Sequence, residues 1–198
     1  MNDLILAQNP KYKISNYLKN INSRKESDKV KIAESIKRRL IQRYILPGEQ
    51  KENQNGFNIL ASCCLLIETF ESFYRGWSKT PNGSDTFCKF FNRVSEFSEF
   101  TGNDTPTEFY KNIRCGILHQ GETSGGWKIR RDKKKKLYRT EKIIDANHFR
   151  NDLKVVIEKY FDDLKLKDWD SNEWKMLEKK IKSIIRNCEK EPIAKHRI

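Results

Sequence analysis

Residues 104–123 read DTPTEFYKNIRCGILHQGET, and this stretch decides both the fold class and the place to look for chemistry. It opens on a helix-start signal: Thr105 as cap, Pro106 at the first helical position and Glu108 three residues after the cap. Gln120-Gly121 supplies the stop, because glycine tolerates the left-handed backbone that ends many helices. Between start and stop lie Arg114 and His119. Arginine is a permanent cation shaped to hold a phosphate, and histidine is the side chain that trades protons near neutral pH. Cutting RNA beside a ribose needs a group to take the 2′-hydroxyl proton and a group to hold the charge that builds on the phosphate. The pair suits those two tasks; the plainer reading gives Arg114 a neighbouring carboxylate and leaves His119 to end the helix. On a straight α-helix five steps turn His119 about 140° away from Arg114. The spacing therefore predicts a helix that ends at His119, with the long arginine stem bending toward the ring.

Upstream, residues 57–77, FNILASCCLLIETFESFYRGW, are apolar almost all round, which predicts a central helix covered on several sides. Glu68 and Glu71 stand out there, since a buried carboxylate needs a partner. Arg75 is the partner expected for Glu71. Glu68 has two readings: it faces Arg114 across the bundle and orients it, or it forms a structural ion pair or lies at the surface. Before this helix, Val30, Ala33, Ile36, Leu40 and Tyr44 mark a helical face that starts near Ser27 and ends at Pro47-Gly48. After it, Thr80-Pro81-Asn82-Gly83 turns the chain into a helix over 84–98 carrying Phe87, Phe90, Phe91, Val94 and Phe97. Phe149 to Leu164 and Trp174 to Ile185 carry two further stripes. The expectation is an all-α bundle of about six helices, a single domain over 27–188. Residues 1–26 read as a polar N-terminal extension and 189–198 as a tail.

Between the motif helix and the last two helices, Trp127-Lys128-Ile129 and Leu137-Tyr138-Arg139 flank a basic run and predict a small β-hairpin over about 127–142. Lys128, Arg130, Arg131, Lys133, Lys134, Lys135, Lys136, Arg139 and Lys142 stand against Asp132 and Glu141 alone. Basic residues interleaved with Trp127 and Tyr138 suit single-stranded RNA, with phosphates held by charge and bases stacked on rings. Such a run also occurs as a solvated loop tip.

Composition agrees with a folded, polar, nucleic-acid-facing protein. Of 198 residues 36% are apolar, 34% charged and 11% aromatic, and the net charge is +13 with a pI near 9.5, which favours polyanionic partners. Cys63, Cys64, Cys88, Cys115 and Cys188 make an odd count without metal-ligand spacing and read as reduced thiols of the cytoplasm. His119, His148 and His196 form no ligand cluster, so neither metal nor cofactor is expected. No secretory leader and no run of 18 apolar residues is present, which predicts a cytoplasmic protein that does not engage a membrane.

Residues 104–123, following the buried stretch 57–77 and its connecting helix, resemble the motif helix of the HEPN superfamily, prokaryotic helical-bundle proteins that include many toxin and defence ribonucleases. The resemblance covers about residues 57–122. It implies a helical bundle that dimerises along the motif helix and cleaves RNA without metal, with Arg114 and His119 of two subunits facing each other across a basic cleft. Members often carry Asn, Asp or His directly after the arginine; this chain has Cys115 there. The resulting expectation is a dimeric endoribonuclease of a toxin or antiviral system that leaves a 2′,3′-cyclic phosphate, with an antitoxin or sensor protein as a further partner. The alternative from another class is a non-catalytic module that uses the same bundle to dimerise and bind nucleic acid or a partner protein. A third reading is a nucleotide or signal sensor.

Overall fold

The computed structural model describes residues 3–50, 55–102 and 104–189. Its centre is α3 (Gly56–Arg75), which is capped by the Asn55 side chain accepting from the Phe57 amide and stopped by Gly76 at φ 64°. Cys63, Cys64, Leu66, Ile67, Phe70 and Phe73 are buried along it. By length and composition α3 could cross a bilayer, but here α4 (Gly83–Arg93), α6 (Ala146–Leu166) and α7 (Asn172–Glu189) pack around it, as an all-round apolar helix requires. The described residues are mainly helical, with seven α-helical segments.

The phenylalanine stripe read from 84–98 is buried, but not as one helix. After α4 ends at Arg93, Val94 is extended and Ser95–Phe100 forms a 3₁₀ segment. That break lets Phe97 and Phe100 turn inward beside Phe91, Phe109 and Phe149, with Phe91 stacked on Phe100 at 4.8 Å and Phe109 on Phe149 at 5.3 Å. Aromatic pairs at these separations add to area burial, and this cluster fastens the start of the motif helix to α6.

Residues 3–26 are not an extension. β1 (Ile5–Ala7) pairs with β2 (Tyr12–Lys13), which leads into α1 (Ile14–Ser23), and Leu6, Ala7, Tyr12, Ile14 and Tyr17 are buried in the common core. These five apolar residues fall on the inner side, while Leu4, Ile5 and Leu18 stay exposed. α2 (Glu26–Leu40) runs on through a π-helical turn, Ile41–Ile45. Its core face is Ile32, Ala33, Ile36 and Leu40, whereas Val30, read as part of that face, is 48% exposed.

The expected hairpin over 127–142 does not form. β3 (Lys128–Arg130) and β4 (Leu137–Tyr138) do not pair with each other; both pair with β5 (Ile143–Asp145), parallel and antiparallel respectively. Ile144 and Asp145 are buried, so the strand that can cover an apolar position and cap α6 takes the middle of the sheet. Asp145 accepts from the His148 and Lys133 amides at 2.9 Å each and from His148 Nδ1 at 3.0 Å, tying sheet, basic loop and α6 together. His196 lies outside the described residues.

Candidate active site

The motif helix begins as α5 (Thr105–Phe109) and continues from Tyr110 to Gln120 with π-helical winding, ending at Gly121 with φ 72°. The start differs from the expected capping box. Asp104, at φ 60°, takes the cap position, its carbonyl accepts from the Glu108 amide at 2.8 Å, and the buried Thr105 hydroxyl has no partner.

The π winding changes the meaning of the arginine–histidine spacing. Hydrogen bonds that run from residue i to i+5 bring residues five apart over one another, so Arg114 and His119 share a face that α winding would deny them. Arg114 Nη1 lies 3.2 Å from His119 Nε2. A guanidinium only donates, so Nε2 accepts and this contact assigns the ring proton to Nδ1. The backbone winding brings the two side chains to one face.

Glu68, on the side of α3 that faces the motif helix, accepts from Arg114 Nε at 2.8 Å. Both side chains are 17% exposed, which places the pair at the border of core and solvent. The Arg114 guanidinium also lies 5.5 Å from the centre of the Tyr110 ring. Burial opposes the Arg114 charge, but the hydrogen bond and charge of Glu68, helped by Tyr110 and Cys115, outweigh it and hold the guanidinium above its ordinary value. Burial, with the Cys115 thiol beside it, pushes the Tyr110 hydroxyl up. Arg114 is thus a fixed cation behind an exposed imidazole.

A return loop braces this helix. Beyond Gly121, Ser124 donates from its amide to the Asn112 carbonyl at 3.0 Å and from its hydroxyl to Asn112 Oδ1 at 2.9 Å. A Cβ on Gly116 would collide with the Glu122 carbonyl, so glycine is needed where the loop crosses the helix. Asn112, Gly116 and Ser124 are supports that residue chemistry alone did not single out; a glycine in mid-helix was their one visible signal.

The basic segment is only partly exposed. Lys128, Arg130, Arg131, Lys134 and Lys135 are exposed, and Lys133 and Tyr138 are half-buried. Lys136 is 5% exposed, pairs with Asp152 at 2.7 Å and Glu99 at 3.1 Å, donates to the Glu96 carbonyl and lies 4.2 Å from the Phe97 ring centre. Its ammonium therefore serves the core, contrary to the RNA-binding role expected of it. Trp127 is 4% exposed and likewise withdrawn from stacking on a ligand. Ile129 of β3 packs at Gly56, the first residue of α3. Glu68 lies twelve residues farther along that helix, about 18 Å at the α-helical rise.

The arrangement offers a phosphate-binding cation, a proton acceptor in contact with it and an acidic anchor. Comparison with known proteins finds no matching family model, no similar curated protein and no similar solved structure.

Proposed function

We propose that the protein is a metal-independent endoribonuclease of a toxin or antiviral defence system, acting as a homodimer of HEPN-like helical domains. The observation that carries this reading is the 3.2 Å contact between Arg114 and His119 on the π-wound motif helix, with Glu68 holding the far edge of the guanidinium. His119 Nε2 takes the 2′-hydroxyl proton, and the hydroxyl oxygen attacks the adjacent phosphorus. Arg114 gives up His119 as its acceptor and donates to the non-bridging oxygens, where charge develops. The leaving 5′-oxygen needs a proton from a second acid, which the partner subunit's motif helix supplies. The products are a 2′,3′-cyclic phosphate and a 5′-hydroxyl. The exposed cations of the 128–135 segment hold the substrate strand by its phosphates, and an antitoxin or sensor protein restrains the activity in the cell.

A non-catalytic module that binds RNA or a partner protein is the second reading. It is favoured by the ion pair of Arg114 with Glu68, which accounts for the position of the arginine without any chemistry. The variant His119→Ala separates the two. The enzyme loses cleavage by at least a hundredfold, within the range expected for removing a general base, and keeps its RNA affinity. RNA binding by wild type and variant alike, without cleavage by either, supports the binding module.

A further inference from the structure

A second cleft, with a volume of about 290 Å³, opens between α3, the end of α4 and α6, lined among others by Phe70, Tyr74, Arg93, Val156, Lys159 and Tyr160. None of the Arg114 site residues lines it. Behind it Glu71, wholly buried, accepts from Arg75 Nε at 2.7 Å and from Arg93. One carboxylate shared by two guanidiniums leaves that trio at +1, a charge held partly out of water that attracts a counter-ion, while Glu173, the acid nearest Tyr160, pairs with Lys167 at 3.5 Å. The Lys159 ammonium is paired with Glu96 at 3.3 Å, and the carboxylate of Asp163 lies on the exposed rim, where water screens it.

Two donors behind the wall of this cleft have no acceptor. Arg93 Nε and the Tyr160 hydroxyl are both buried without a hydrogen-bond partner, a cost that folded proteins ordinarily avoid. Burial, with Glu173 and Tyr74 nearby, pushes the Tyr160 hydroxyl up, so it stays a donor. The walls are aromatic: Tyr160 meets Phe70 edge-on at 5.1 Å, and the Arg93 guanidinium lies 3.8 Å from the Tyr74 ring centre. We infer that this cleft binds a small planar monoanion, an aromatic carboxylate, whose head accepts from Arg93 and Tyr160 while its ring packs among Phe70, Tyr74 and Val156. Neither donor atom meets water, so the head reaches them as Arg93 slides across the face of Tyr74.

The test uses the intact protein, benzoate as probe, benzamide as its neutral counterpart, and no RNA, so it is independent of the cleavage reading. Amide NMR titration of wild type is expected to show saturable benzoate binding with shifts along 70–74 and 156–160. Tyr160→Phe removes only an unpartnered hydroxyl. It is expected to keep or raise the Tm and to bind benzoate about tenfold more weakly, the loss of one hydrogen bond to a charged group. No saturable benzoate binding, equal binding by the Phe variant, or benzamide binding as tightly would each overturn the proposal. A fall in Tm for Tyr160→Phe would do so too, because it would give the hydroxyl a partner within the protein.

Discussion

Arg114 is held from three sides, by Glu68, His119 and the Tyr110 ring, and each contact fixes a different freedom. The Glu68 bond fixes the Nε edge, and Nη1 meets the His119 ring. Glu68→Gln keeps the shape of that contact but removes its charge. The variant is expected to fold normally and, under the cleavage reading, to lower kcat about ten- to a hundredfold with a smaller change in KM, since misplacing a phosphate-binding group mainly weakens transition-state contacts. Single-turnover cleavage by wild type and variant measures this; a change confined to KM would mean that Glu68 does not position Arg114. All three residues were legible in the sequence, Arg114 and His119 from chemistry and Glu68 from its improbable place on an apolar helix. Their contact geometry was not. Residue propensities do not distinguish π from α winding, and on an α-helix the same spacing reads as two faces.

At the scale of elements, the motif helix and the small sheet show where a linear reading loses information. Two short strands of matching pattern read as a hairpin, because Ile143-Ile144-Asp145, the strand with which both pair, is too short to announce itself. Its buried Asp145 earns meaning only once it caps α6. Lys136 was lost in the same way: within a run of four lysines only the fold tells which ammonium turns inward. Lys136→Met is expected to cost about 2 kcal/mol, since it leaves the Asp152 and Glu99 carboxylates without their cation, discounted for their partial exposure. Urea unfolding measures the loss, and RNA affinity should be unchanged. The double variant Lys134→Glu, Lys135→Glu is expected to behave in the opposite way, with stability near wild type and weaker, less salt-dependent RNA binding by filter retention. Equal RNA affinity in both variants would separate the basic loop from the substrate.

For the whole molecule, the helical class and the central position of α3 followed from composition and periodicity, because an all-round apolar helix has one stable place. The N-terminal segment did not, since its five buried apolar residues are scattered through polar sequence. α2 and α6 are joined at the surface by a network of Glu34 and Asp162 with Lys37 and Lys165, at 2.7 to 3.1 Å. Burial works against the Glu34 charge, but hydrogen bonds from Lys165 and Lys37 outweigh it; hydrogen bonds from the same two lysines hold Asp162 down. Carboxylates held below their ordinary values stabilise the fold above those values and stop doing so as pH falls through the folded ones. The urea midpoint of wild type should therefore exceed that of Glu34→Gln, Asp162→Asn at pH 7, and the gap should close from about pH 4.5 downward. A gap that persists at pH 2 would assign the difference to packing.

Under the proposed function, Arg114 and His119 cleave RNA by turning its own 2′-hydroxyl on the phosphate. Mass spectrometry of the 3′ ends produced by wild-type protein from a single-stranded RNA, in EDTA, tests it most directly. The expected result is fragments ending in 2′,3′-cyclic phosphate, with no cutting where the ribose at the cut site is replaced by deoxyribose. Fragments ending in a 3′-hydroxyl, cleavage of the deoxy-substituted strand, or RNA bound and left whole would contradict it.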